Sequence, residues 1–430
     1  MTTAILWLRN DLRLHDHEAL HRALQQAEAI VPFFCFDQRL FQDTPYGFKR
    51  CGAQRLQFLM QSVQALQQAF AAKGVEMEIA VGNPVQELQA LAERTGAKWL
   101  FHHREVTTEE LADEAAVVKN LQAAGLECHG FWGSTLFHPE DLSFPLARLP
   151  EVFTDFRKRT EREAQVRELW PTPGKMQGVA GCRQQWPSVE QTGETLAAAD
   201  ARAVLAFEGG EAAGLARLQR YFWEEDRLKE YKETRNGLIG QGYSSKFSPW
   251  LAVGALSPRF IYHEIQRYER ERISNQSTYW LIFELLWRDY FRFVAHKHGA
   301  ALFQAGGIKQ NGQAHPYKAK ALELWKEGRT QQTFIDANMR ELRATGFMSN
   351  RGRQNVASYL VHHLKCDWRA GAAWFEHALL DYDPCSNYGN WNYLAGVGND
   401  PRENRVFNPE KQSVQYDPKV VYRLLWLSGN

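Results

Sequence analysis

The chain has 430 residues, 44% of them apolar and 23% charged, which is too long for one ordinary domain and is the balance of a globular protein with a large core. Its 51 basic and 50 acidic residues leave a net charge of +1, so there is no overall nucleic-acid signature, and DNA binding would need a local basic face. Fourteen Trp, fifteen Tyr and twenty-five Phe exceed what packing alone usually needs.

The start, MTTAILWLRNDLRLHDH, turns charged after a short apolar run and reads as neither a signal peptide nor a membrane span. Six scattered cysteines form no C-x-x-C pair, which disfavours a zinc ribbon and fits a reducing compartment. The expected location is the cytoplasm, with organelle or nuclear import left open.

Apolar runs at Ala4–Leu8, Ala29–Phe36, Val75–Gly82, Lys98–His103 and Leu126–Phe131 read as strands. Helical spacing follows from about Asp16, over Gly52–Lys73, over Pro84–Arg94 with proline in the first turn, and over Thr107–Ala124 with Gly125 as a stop. This alternation predicts α/β architecture, a doubly wound parallel five-stranded sheet over residues 1–131. Residues 132–200 are turn-rich and read as a long connector. From about Gly210 the helical period dominates, so residues 201–430 are expected to form an all-α domain.

Gly242–Pro258 sets Ser244, Ser245, Lys246 and Ser248 ahead of an apolar run. Hydroxyls, a lysine and free N–H groups at a helix start make an anion cradle that suits a pyrophosphate; a capped helix start without a ligand is the plainer reading. In Ser277–Val294, Glu284, Trp287, Arg288 and Phe291 share one helical face. A carboxyl in an aromatic wall is costly without a partner; the alternative is a weak Glu284–Arg288 surface pair. Ala344–Leu360 holds Asn350, Arg351, Arg353 and Gln354. Arg353 can pair with an acid such as Asp381 over a flat ring, because guanidinium is planar, while Arg351 reads as a solvated residue.

Asp381–Gly398 is the densest stretch: Asp381, Asp383, Asn387, Trp391 and Tyr393, with Gly389 and Gly396 between them. Acids, an amide and aromatics beside flexible backbone suit a planar, redox-active ligand. No G-x-G-x-x-G follows the first strand, no G-x-S-x-G elbow or Ser–His–Asp set is present, and the histidine pairs lack metal-site spacing. A dinucleotide fold of the usual kind, a hydrolase and a metal site are therefore disfavoured.

The segments TRNGLIGQGYSSKFSPWLAVGALSPR, YWLIFELLWRDYFRF, ANMRELRATGFMSNRGRQNVASYL and YDPCSNYGNWNYLAGVGNDPRENRVFNP, with the start ILWLRNDLRLHDHEAL, resemble the photolyase/cryptochrome family and, within it, the cryptochrome DASH branch. The resemblance implies FAD held bent in the helical domain. It places Tyr231 and Ser244, Ser245, Lys246, Phe247 and Ser248 on the phosphate side. Arg288, Asn350, Arg353, Asp381 and Asp383 fall around the adenine–ribose bend and the ring, and Asn387 faces flavin N5. It makes Trp391 and Trp368 the inner members of a tryptophan electron chain. The outer tryptophan is missing: His315 and Tyr317 stand there, and Tyr317 or another exposed aromatic replaces it, while Trp325 matches a structural position.

By the same resemblance Glu284, Trp287 and Asn350 hold a pyrimidine dimer, with Gln354 and Tyr393 making the pocket more polar than in ordinary photolyases. Extracting a base from a duplex costs a few kcal/mol, so the implied partner is single-stranded or looped DNA, with RNA a second possibility, and no membrane; a monomer is expected. The implied antenna is 5,10-methenyltetrahydrofolate, with Glu109 or Glu105 as contacts; a plain acidic helix start is the alternative. The implied activity is light-driven splitting of cyclobutane dimers. Two rivals are a signalling photoreceptor that binds nucleic acid without repair and a dark flavoenzyme.

Overall fold

Five apolar runs become five parallel strands. The computed structural model describes residues 2–196, 198–310, 314–400 and 406–428; residues 401–405 of the last family-like motif lie outside them. The strands are β1 (Thr3–Leu8), β2 (Ala29–Asp37), β3 (Glu78–Gly82), β4 (Trp99–His103) and β5 (Glu127–Phe131), in the order β3-β2-β1-β4-β5. Every residue of β1 is buried, as expected of a central strand covered on both faces. Ile5 pairs with Val31 on one side and Leu100 on the other. Helices α1 (Glu18–Gln26), α2 (Ala53–Ala71), α3 (Pro84–Thr95) and α4 (Thr108–Ala123) complete the doubly wound layer, as the alternation predicts.

Two local readings change. The third strand starts at Glu78 rather than Val75. The connector is also more ordered than its turn-rich sequence suggests. It contains an 11-residue helix, α5 (Phe153–Glu163), seated by Phe153, Phe156 and Thr160. It then runs back along the sheet edge, where Ile79 N–H donates to Arg183 O at 2.9 Å and Gln185 N–H donates to Ile79 O at 2.9 Å. An otherwise unpaired edge is thereby covered.

The rest is helical, as expected: α6 (Glu211–Gln219), α7 (Tyr231–Thr234), α8 (Ser248–Ala252), α9 (Pro258–Glu271), α10 (Gln276–His298), α11 (Ala319–Lys326), α12 (Thr333–Thr345), α13 (Asn350–Ser358), α14 (Trp368–Ala378), α15 (Pro384–Leu394), α16 (Pro409–Tyr416) and α17 (Val421–Leu427). Among the described residues no helix is long and apolar enough to cross a membrane. One apolar cluster runs from the sheet through α10; a second, spanning Leu322 to Val397, underlies α14 and α15.

The halves meet at a tight seam. Leu12 N–H donates to Val253 O at 3.1 Å, and Arg13 donates to Gly254 O at 2.9 Å. Gly254 has φ +68°, and a β-carbon there would collide with the backbone of Asn10, so glycine is required both for its conformation and for the approach. Asp16 is bound by Arg259 at 2.6 and 3.0 Å. The helices α10 and α15 cross at Gly389, where a β-carbon would strike the Phe291 ring.

Candidate functional site

The helices α14 and α15 carry the centre of the site. Asp383 caps α15, accepting from Ser386 N at 2.8 Å, and its other oxygen meets Arg292 at 3.3 Å. Asn387, one turn on, is buried and donates through Nδ2 to Ala372 O of α14 at 3.0 Å. A carbonyl partner fixes which way the amide points: its oxygen is left as an acceptor. Trp391, a further turn on, is 1% exposed, and its Nε1 has no partner. Gly371 of α14 lets the two helices close, since a β-carbon there would strike the Trp391 ring. Trp368, at the start of α14, is buried and donates to Ala305 O at 3.2 Å.

Asp381 and Arg353 form the pair expected of them, at 2.8 Å. Arg353 is steadied by donating to Met348 O at 2.9 Å. The second oxygen of Asp381 is buried without a partner, a costly arrangement unless a ligand supplies a donor.

The serine loop is held from beneath by a residue that the sequence reading missed. Arg217 donates to the carbonyls of Ser245, Gln241 and Ser244 at 2.9–3.0 Å. Nothing around Arg217 in the sequence announces this, because its partners are main-chain atoms 24 to 28 residues away. Lys246 adopts φ +56°. Its side chain is buried, with Nζ donating to Gln241 O at 3.0 Å and lying over the Tyr243 ring. Burial lowers its pKa well below the usual lysine value. Phe247 packs beside Tyr221 and Phe222, and Ser248 opens α8 at the surface. Tyr231 is buried at the start of α7, against α10. The Arg288 guanidinium turns to the carbonyls of Ser134 and Leu251, so it ties α10 to its neighbours.

At the mouth, Glu284 pairs with Arg235 rather than Arg288. Burial outweighs that guanidinium and raises its carboxyl above the ordinary range, although 28% of the side chain stays exposed at the rim. Trp287 stacks face to face on Phe153 of α5 at 3.7 Å and meets Tyr393 edge-on at 6.2 Å. Phe153 is the second residue missed, because it comes from the supposed connector. Gln354 accepts from Arg351 at 2.9 Å, Arg351 lies over Tyr416, and Asn350 is exposed beside them. Lys232 and Arg235 both lie over Trp280. Lys232, Arg235 and Trp280 thus form a local basic, aromatic patch bordering an open groove of about 640 Å³ lined by Glu233, Asn236, Ile239, Tyr243 and Tyr416.

Away from this face, Glu109 is half exposed and pairs through both oxygens with Arg50 at 3.1 and 2.9 Å, and Arg50 also meets Glu376 of α14. Glu105 is buried and paired with Arg292 at 2.7 Å, which makes it part of the seam.

A parallel-sheet domain joined to a helical domain with a buried aspartate, amide and indole beside a serine loop defines a two-domain flavin-binding protein of the photolyase type. The comparisons agree. The FAD binding domain of DNA photolyase matches residues 280–429, and the DNA photolyase domain matches residues 4–174. Cryptochrome DASH of Synechocystis sp. is 53% identical over 434 residues, covering 99% of this chain and 87% of that protein. Cryptochrome DASH of Gloeobacter violaceus is 48% identical over 428 residues, covering 99% and 85%. The crystal structure of the Synechocystis cryptochrome superposes with a TM-score of 0.95, covering 99% and 89% of the two chains at 53% identity. The chain belongs to the photolyase/cryptochrome family of blue-light flavoproteins, in its cryptochrome DASH branch. These groups fit FAD: an unpartnered buried carboxylate oxygen at Asp381 and an oriented amide oxygen at Asn387 as acceptors, and a loop whose carbonyls are already taken by Arg217.

Proposed function

We propose that this protein splits cyclobutane pyrimidine dimers in single-stranded or looped DNA under blue light. FAD, when bound reduced and excited, supplies the electron that opens the cyclobutane ring and receives it back. The residues of the chain provide the rest. Asp381 and Arg353 orient the cofactor, with Asp383 behind them. The Asn387 oxygen accepts a hydrogen bond from a protonated ring nitrogen. Trp391 and Trp368, both buried, offer easily oxidised rings between that position and the surface.

The observation that carries the reading is Glu284. It is a carboxyl with a raised pKa on the rim of an aromatic wall built by Trp287 and Tyr393. A carboxyl there can hydrogen-bond the polar edge of a pyrimidine, and the Arg235 guanidinium paired with it places positive charge beside any negative charge developing on the base. Arg235 keeps it in place, and the half-buried indole of Trp287 offers a base an aromatic surface. Gln354, Tyr393 and the Arg351 guanidinium make the mouth polar, which weakens the apolar gain available to offset extraction from a duplex. An antenna, 5,10-methenyltetrahydrofolate, belongs with this reading at the rim where Glu109 meets Arg50.

The test is repair of dimer-containing single strands, looped duplexes and full duplexes under blue light. Glu284→Ala, which removes every hydrogen bond from this position, should lower repair about a hundredfold with FAD content unchanged. The polar mouth also favours one rival, light-triggered binding of DNA or RNA without repair. Wild-type protein that binds these strands in light yet repairs none of them would establish the rival.

A further inference from the structure

A second cleft shares no residue with the site described above. It has a volume of about 340 Å³ and lies between the start of α2 at Gly52, Gln54 and Arg55, the end of α12 at Arg343, the end of α14 at Trp374 and His377, and the connector at Glu194. The 19-residue helix α2 starts from Gly52, which has no side chain to cap it. The first N–H groups of such a helix lack partners within it and carry partial positive charge. Arg343 is exposed at the rim. Trp374 is 8% exposed, and its Nε1 is buried without a partner. Donors and a cation thus surround one cavity of small-molecule size.

His377 supplies a further charge. It is buried and stacks on Trp374 at 4.8 Å. Both ring nitrogens face acceptors: Lys49 O lies 2.7 Å from Nδ1, and Glu194 Oε1 lies 3.0 Å from Nε2. A neutral imidazole has one N–H, so only the doubly protonated ring makes both hydrogen bonds. His15 shows the contrast. Its Nδ1 meets Glu211 at 2.7 Å, but its Nε2 accepts from Ser257 N–H at 3.2 Å, so a neutral ring serves there. The charged groups packed around His377 are Arg55 of α2, Arg343 of α12, Lys326 of α11 over the Trp374 ring at 4.8 Å, and Glu376, which Arg50 engages at 2.9 Å. Glu194 is the carboxylate left to balance the ring.

Glu194 reaches in from the connector and is partly exposed. Its second oxygen accepts from Ala53 N–H at 2.7 Å, and the hydrogen bond from His377 holds its carboxyl below the usual range. A carboxylate therefore already sits where an imidazolium meets a helix N-terminus, the pairing that oxyanions seek. We infer that this cleft is a binding site for a small oxyanion, a carboxylate or a phosphate, and that Glu194 occupies it as a built-in competitor. The external anion displaces the Glu194 side chain and takes over its contacts to His377 and Ala53 N–H. Arg343 and the Trp374 N–H supply donors that the Glu194 carboxylate leaves unused.

The experiment is isothermal titration calorimetry of the FAD-loaded protein at constant ionic strength. The probes are acetate and sulfate, the latter a phosphate mimic whose charge does not change near neutral pH. Wild type, Glu194→Ala, Arg343→Ala, the double variant and Arg351→Ala are compared, with thermal midpoints to confirm folding. Glu194→Ala should bind at least about tenfold more tightly than wild type, because a charge-assisted competitor is gone. Arg343→Ala should weaken binding in both backgrounds, and Arg351→Ala, at the substrate mouth, should leave it unchanged. Binding should fall as pH rises through the histidine range, about 6 to 8, because the ring then loses the proton that one contact requires. Saturation by sulfate alone assigns a phosphate-bearing ligand, and by acetate alone a carboxylate; either supports the site. The inference is overturned if neither anion saturates wild type or Glu194→Ala, if Arg343→Ala and pH leave binding unaltered, or if Arg351→Ala abolishes it.

Discussion

Asp16 and Asp381 are both buried acids facing an arginine, and they do opposite work. In the seam, Asp16 has both oxygens engaged: Arg259 at 2.6 and 3.0 Å, the Ser257 hydroxyl at 2.5 Å and Trp170 N at 3.1 Å. In the site, Asp381 gives one oxygen to Arg353 and keeps the other buried and unpartnered. Low dielectric makes both arrangements high-stakes. A fully paired buried charge is glue between the two halves, and a half-paired one is a place prepared for a ligand. Glu341 shows a third answer. It is 1% exposed, accepts from the Tyr422 hydroxyl at 2.6 Å and leaves its other oxygen unpartnered. Burial pushes its pKa up to about 8, so it stays neutral by keeping its proton.

The largest effect should come from breaking the glue. Arg259→Ala leaves Asp16 buried and uncompensated, and should cost about 3–5 kcal/mol of stability in chemical denaturation, with or without added FAD. A small loss would mean that the seam charges are not held by each other.

Asp381→Asn should separate site from scaffold. It keeps the shape but weakens a charge-assisted contact, so FAD affinity should fall by about 1.5–3 kcal/mol, measured by flavin fluorescence titration. The melting point without FAD should move little. Equal losses of both would make Asp381 another structural acid.

The effect of Glu341→Gln depends on pH, because it removes a titration. The folded carboxyl holds its proton to about pH 8, above its ordinary 4.5, so wild-type stability is fully present below pH 4.5 and is lost as pH rises through the folded value. Across that window wild type should lose up to about 1.4 kcal/mol per pH unit relative to the variant. Parallel stability curves would show that Glu341 does not carry a raised pKa.

Much of this was legible along the chain. The strands announced themselves because a doubly covered parallel sheet needs unbroken apolar runs. The helices announced themselves because one face of each is buried: Leu56, Val63, Leu66 and Phe70 recur at helical spacing in α2 and all lie in the core. Arg353 with Asp381 was readable because a planar cation calls for an acid. The connector was not. The α5 sequence FTDFRKRTERE is mostly charged, and its three inward residues gain meaning only against Trp287 and Tyr290.

The sequence by itself determined which residues are apolar, where the helical and alternating periods lie, and which amides, acids and indoles stand together near the C-terminus. Those follow from local chemistry and short-range spacing. Only the tertiary structure decided which buried charges are paired and which wait for a ligand, that Glu284 takes Arg235 and not Arg288, that Arg217 holds the serine loop, and that Glu194 of the connector meets His377. Each of these joins residues far apart in the chain, and pairing at that range is set by how helices and sheet pack, not by any local pattern.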